Sequence, residues 1–201
     1  MKVTKTHFLF PSPVFECKIN DHKELNLELI KYINELREKD IKGIKASNAG
    51  GGWHSPFFLI SEIDILKKFT SKIYPFIFEI ATEHYAWDCK PEKIKITGMW
   101  SVINKKNSYN VRHFHPKCNL SAAYYVKAKE NCGKIKFFDP TDQKSMQSPP
   151  KKVLNVLSSE VVNFVPEEGD LLIFPSYLHH SVEENLSKDE RIVISFNIQI
   201  L

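Results

Sequence analysis

The sequence predicts an α+β fold that is mainly β: a jelly-roll, cupin-like sandwich in the C-terminal half with N-terminal helices packed outside it. Two observations carry this. Before residue 93, two stretches repeat apolar residues at helical spacing. After it come five short segments rich in β-branched and aromatic residues, separated by turn residues and with no helical stretch between them. Such a run argues for an antiparallel sandwich or barrel. A chain of 201 residues can bury a proper core. We read 1–201 as one domain, with 1–92 supplying an opening strand and supporting helices and 93–201 the core.

In chain order, "HFLFPSPVFECKI" reads as a strand interrupted by Pro11 and Pro13, which suits an edge position. Asp21 starts a helical pattern through about Arg37, with Leu25, Leu29, Ile30, Ile33 and Leu36 on one face. "SNAGGGWHS" is a loop, because three consecutive glycines are uncomfortable inside a helix or strand. A second helix spans about Ile63 to Tyr85, with Pro75 expected to kink or split it. The strand segments are "KIKITGMWSVI", "LSAAYYVKA", "GKIKFFDP", "VVNFVPEEGDLLIFPS" and "RIVISFNIQIL".

Composition narrows the function. Hydrophobic residues make up 42% of the chain, and 14 Phe, 7 Tyr and 3 Trp give an aromatic core, so general disorder is excluded. The net charge of +4 is spread among acidic residues without a basic block, which argues against a dedicated nucleic-acid partner. Cys17, Cys89, Cys118 and Cys132 show no CxxC pair, so free thiols in a reducing cytosol are expected rather than disulfides or structural zinc. No secretory signal and no membrane-length apolar run is visible, and a cytoplasmic protein is expected.

The chemistry sits in "RHFHP". Residues two apart on a strand share a face, so His113 and His115 can share a metal ion. A third ligand is expected from His179 or His180, which follow the hydrophobic strand in "GDLLIFPSYLHHSVEEN". Three imidazoles, or two and a carboxylate, with open positions left over, make a reactive Fe(II) or Zn(II) site. Arg191 opens the last strand. It either reaches into the barrel to grip a carboxylate or pairs at the surface with Asp189 or Glu190. Trp53 and His54 beside the glycines form either a lid over the barrel mouth or a connector with Trp53 packed down. Aromatic residues expected near the rim are Tyr109, Tyr124, Tyr125, Phe137 and Tyr177.

Taken together, "MWSVINKKNSYNVRHFHPKCNLSAAYYV", "KIKFFDP", "GDLLIFPSYLHHSVEEN" and "RIVISFN" resemble the 2-oxoglutarate/Fe(II) oxygenases common in marine bacteria and phages, a family similar in plan to prolyl hydroxylases. The resemblance extends to the opening strand and the glycine loop. It implies a double-stranded β-helix core, Fe(II), 2-oxoglutarate and O2 as cofactors, and a peptide or small-molecule substrate. It also implies His113 and His180 as metal ligands and Arg191 as the residue for the far carboxylate of 2-oxoglutarate. Ser195, Tyr124 (or Tyr125) and Asn104 are implied as helpers. Where the wider superfamily carries an acid, this chain has His115. That position leaves three readings: His115 as third ligand, two histidines plus water, or a carboxylate such as Asp139. A three-histidine Zn(II) hydrolase and a non-catalytic binding module are the competing functions.

Overall fold

The structure, a computed structural model, describes residues 2–141, 146 and 148–201. Its N-terminal elements are β1 (Phe15–Lys18), α1 (His22–Lys39), β2 (Asn48–Ala49), β3 (Trp53–His54) and α2 (Asp64–Glu79). Then follow β4 (Ile94–Asn104), β5 (Tyr109–His113), β6 (Leu120–Lys127), β7 (Ile135–Phe138), β8 (Val161–Phe164), β9 (Asp170–Pro175), β10 (His180–Val182) and β11 (Arg191–Ile200). These strands form a six-stranded sheet ordered β1-β9-β6-β11-β4-β3 and a five-stranded sheet ordered β2-β5-β10-β7-β8, with every pairing antiparallel.

The six-stranded sheet is buried on both faces. On its outer face Tyr124, Ile173, Ile194 and Phe196 join Leu25, Leu29 and Ile33 of α1 and Leu66, Phe69, Ile73 and Ile77 of α2 in one core. On its inner face Ala123, Tyr125, Leu172, Phe174 and Val193 meet Ile135 and Phe137 of the five-stranded sheet. Double burial is why its strands read as near-continuous apolar runs. The helices bury residues three and four apart, the stripe that a 3.6-residue period demands.

Three expectations are corrected. The opening strand starts only at Phe15, past both prolines, whose missing N–H cannot join a ladder; it does lie at the sheet edge, paired to β9. Pro75 neither splits nor ends α2, which continues to Glu79 and into a π-helical turn at Ile80–His84. One lost backbone bond is tolerated there because Phe69, Ile73 and Ile77 anchor the helix on both sides. Finally, Trp53 and His54 belong to a strand rather than a lid: they pair with Ile103 and Val102 of β4, and Trp53 Nε1 donates to the Asp40 carbonyl at 2.7 Å. The glycines connect the two sheets, with Gly50 and Gly51 at φ +64° and +81°. Among the described residues, no helix is long and apolar enough to cross a membrane.

Candidate active site

Between the two inner faces lies a cavity of about 580 Å³. Strand register builds a histidine cluster along it. His113 ends β5, and its cross-strand partner is His180 at the start of β10, so the two rings meet at 4.3 Å between centroids. His115 lies two residues past β5, held by its N–H to the Ser176 carbonyl at 2.9 Å. Its ring is parallel to His180 (5.2 Å, 4°) and stacked on Trp100 (5.6 Å, 22°). One ligand atom from each of His113, His115 and His180 falls within 4.8 Å of the others.

Two of these rings are oriented for coordination. His113 Nδ1 donates to the Val111 carbonyl at 2.7 Å, and His180 Nδ1 to the Leu178 carbonyl at 3.0 Å. Both Nε2 lone pairs are therefore left for a cation. Burial, reinforced by the charge of His113, pushes His180 down to about 3 and His115 to about 4; burial lowers His113 too. The cluster is neutral at ordinary pH, which is the form that binds metal. His179 is not in the cluster: its ring lies 4.9 Å from Phe114. Asp139 is outside it as well, with a carboxylate oxygen accepting from the Thr141 N–H at 2.8 Å.

On β11 the alternation turns Arg191, Val193, Ser195 and Asn197 inward, and the last three line the cavity. Arg191 is 1% exposed. Its Nη1 donates to the carbonyls of Cys132, Gly133 (3.3 Å) and Glu183 (3.4 Å), while Nε and Nη2 are buried without a partner among the described residues. The surface reading of this residue fails, because Asp189 pairs with Lys127 and Glu190 with Arg37. Asn104 is the β4 register partner of Arg191. It lines the cavity, and its Nδ2 is another buried donor without a partner. Two residues on paired strands thus carry three buried donor nitrogens that no described residue pairs.

Tyr124 is not at the site. It faces the helices, where its hydroxyl donates to Asn26 Oδ1 at 2.6 Å, because residue 124 falls on the outer side of the β6 pleat. Tyr125 faces inward and lines the cavity. Of the other aromatic residues expected at the rim, Phe137 is in the inner core, and Tyr109 and Tyr177 are surface residues outside the lining. The aromatics that line the cavity with Tyr125 are Phe57, Trp100, Phe114 and Phe174, with His54 beside them. Sequence reading placed His54 only as part of a lid over the mouth and missed Phe57 and Trp100 as site residues; the apolar "MW" of β4 carried no signal separating cavity wall from core.

Residues 98–197, a stretch holding all three clustered histidines and Arg191, match the family model described as "Putative 2OG-Fe(II) oxygenase". No curated protein matches the sequence. Solved structures do. A Pseudomonas putida prolyl-4-hydroxylase aligns with TM-score 0.67 at 10% identity, over 94% of this chain and 92% of that one. The viral collagen prolyl hydroxylase of Paramecium Bursaria Chlorella virus-1 aligns with TM-score 0.57 at 18% identity, over 92% and 96%. The non-heme alpha ketoglutarate dependent epimerase SnoN of nogalamycin biosynthesis aligns with TM-score 0.67 at 10% identity, over 94% and 77%. At these identities the likeness establishes the fold, a double-stranded β-helix. With that fold and the family match over the strands that carry the histidines, the chain belongs to the 2-oxoglutarate/Fe(II) oxygenase family.

Proposed function

We propose that His113, His115 and His180 hold Fe(II), that Arg191 with Asn104 and Ser195 takes the distal carboxylate of 2-oxoglutarate, and that the protein hydroxylates a peptide side chain or small molecule in the cytoplasm. When bound, Fe(II) and 2-oxoglutarate supply an O2-dependent oxidation of an unreactive C–H bond, coupled to conversion of the co-substrate to succinate and CO2. The chain's own residues do the rest. The Nδ1–H bonds of His113 and His180 fix their rings. The Arg191 fork reads a carboxylate bidentately. Tyr125, Phe174 and Val193 keep water from the charges and so strengthen their pairing. Tyr125, and not Tyr124, is the tyrosine placed to help.

The observation that carries this reading is Arg191: a buried guanidinium with two unpartnered nitrogens and, among the described residues, no carboxylate paired with it calls for an anionic ligand. A Zn(II) hydrolase gives that arginine no task. The test combines metal analysis with co-substrate titration. His113→Ala and His180→Ala should each abolish bound iron, whereas His179→Ala should keep it. Arg191→Met should keep iron yet weaken 2-oxoglutarate binding roughly 30-fold or more, as expected for truncating one partner of a buried charge pair. Iron lost with Arg191, or kept without His180, contradicts the assignment. Iron lost in His115→Ala but kept in His115→Asp would identify position 115, rather than Asp139, as the third ligand.

A further inference from the structure

Beside Trp100 the cavity lining includes His54 and Phe57, two residues that the reading above gives no part in holding metal or co-substrate. The His54 ring lies parallel to Trp100 (5.7 Å, 11°), Phe57 stacks on Trp100 (5.5 Å, 29°), and Trp100 stacks in turn on His115. His54 is thus one indole ring away from the cluster. Its Nδ1 donates to the Ser55 carbonyl at 2.6 Å, which makes Nε2 a bare acceptor, and among the described residues nothing donates to it. The backbone beneath is fixed. His54 pairs with Val102, its carbonyl accepts from the Ile44 N–H at 2.9 Å, and Ser55 and Ser101 exchange bonds through Ser55 N–H to Ser101 O and Ser101 N–H to Ser55 Oγ, each 2.9 Å. A cavity-lining histidine held this firmly, with an acceptor nitrogen that no described residue occupies, marks a recognition point.

The rest of the lining limits what can enter. Among the described residues it contains no Asp, Glu, Lys or Arg. Arg191 and the metal are committed to the co-substrate, so a charged group brought inside would be desolvated without a partner. Meanwhile Phe57 is 64% exposed and Phe114 48% exposed, an apolar entrance to a cavity of a size that takes a drug-sized ligand.

We infer that His54, Phe57 and Trp100 form the substrate subsite, taking an uncharged group that packs its apolar part against Phe57 and Trp100 and donates one N–H or O–H to His54 Nε2. This rests on the oxygenase reading above. Burial lowers the His54 pKa and keeps the ring neutral, as an acceptor must be. Zwitterionic free amino acids are poor occupants; amides, alcohols and blocked peptide units are suitable ones.

The test uses three probes of one shape: benzamide (neutral, with an N–H donor), benzoate and benzylamine. Ligand-observed NMR measures their binding to protein loaded with Zn(II) and 2-oxoglutarate, and benzamide is measured on metal-free protein as well. Benzamide should bind about ten-fold tighter than either charged probe, shift the His54 ring signals, and lose about ten-fold in affinity in His54→Phe, which keeps the stack and removes the acceptor. Equal or tighter binding of a charged probe, an unshifted His54 signal, or no binding of benzamide would each overturn the subsite. The signal shift is read on unmutated protein, so a folding defect in His54→Phe does not blunt the test. Failure of 2-oxoglutarate to load would instead count against the oxygenase reading, and the metal-free benzamide result would still decide the subsite.

Discussion

A guanidinium at 1% exposure is expensive unless its charge is answered, and in Arg191 only Nη1 is answered, by backbone carbonyls. The same strand position read alone from sequence allows an exposed residue pairing with its neighbours. What removes that choice is the Lys127–Asp189 and Arg37–Glu190 pairs, which involve residues distant in sequence. Tyr124 and Tyr125 show the limit of sequence reading at this scale. Every residue from Leu120 to Val126 is buried, so the period-2 contrast that tells inward from outward is silent there. The two tyrosines accordingly have different tasks. Tyr124→Phe should leave the buried Asn26 Oδ1 without its donor and lower stability by about 1–3 kcal/mol, with 2-oxoglutarate affinity unchanged. Chemical denaturation checks the first part and co-substrate titration the second; weakened 2-oxoglutarate binding in this variant would return Tyr124 to the site.

Among the elements, the long apolar strands β4, β6, β9 and β11 were legible from residue type alone, as were both helices. The four-residue strands β1, β7 and β8 also lie inside segments read as strands, but β2, β3, β5 and β10 were not legible. β2 and β3 have two residues each and β10 has three, too few for any periodicity, and β5 carries Asn110, Arg112 and His113 among its five residues. These short elements bring His54, His113 and His180 to the cavity. Their position depends on tight backbone packing. Gly43 sits at φ +60°, where an added Cβ would come within 2.6 Å of the His54 carbonyl and 2.7 Å of the Trp53 ring. Gly43→Ala should therefore cost at least the 1–2 kcal/mol, roughly, of a left-handed alanine and push β3 off β4. Amide exchange at Ser55 and Ser101 reads this directly: faster exchange at both is expected, and unchanged protection would show that β3 is not held through this contact.

For the molecule as a whole, the histidine cluster ties stability to pH. In the unfolded chain the imidazoles protonate near ~6.5, whereas in the folded protein burial pushes His115 to about 4 and His180 to about 3. Between those values the unfolded chain binds more protons. The contribution of these groups is thus complete above ~6.5 and is lost as pH falls toward 3. Melting curves of metal-free protein should show a falling Tm on acidification below about pH 6.5, with a shallower fall in His115→Gln; a Tm that rises on acidification would contradict the burial of neutral rings. The fold class, the histidines of the cluster and Arg191 were all present in the sequence as pattern and motif. The substrate wall was not, because nothing in "GWHSPF" or "GMWSV" shows that two distant segments stack ring on ring.

In the proposed function, Arg191 and the histidine cluster together hold the 2-oxoglutarate chelate. An anaerobic titration of 2-oxoglutarate into Fe(II)-loaded protein, followed by the visible absorption of the iron chelate, reads this at its source. A saturable absorption is expected that is absent in His180→Ala and needs roughly 30-fold or more co-substrate in Arg191→Met. No absorption in the unmutated protein, or an unshifted midpoint in Arg191→Met, would contradict it.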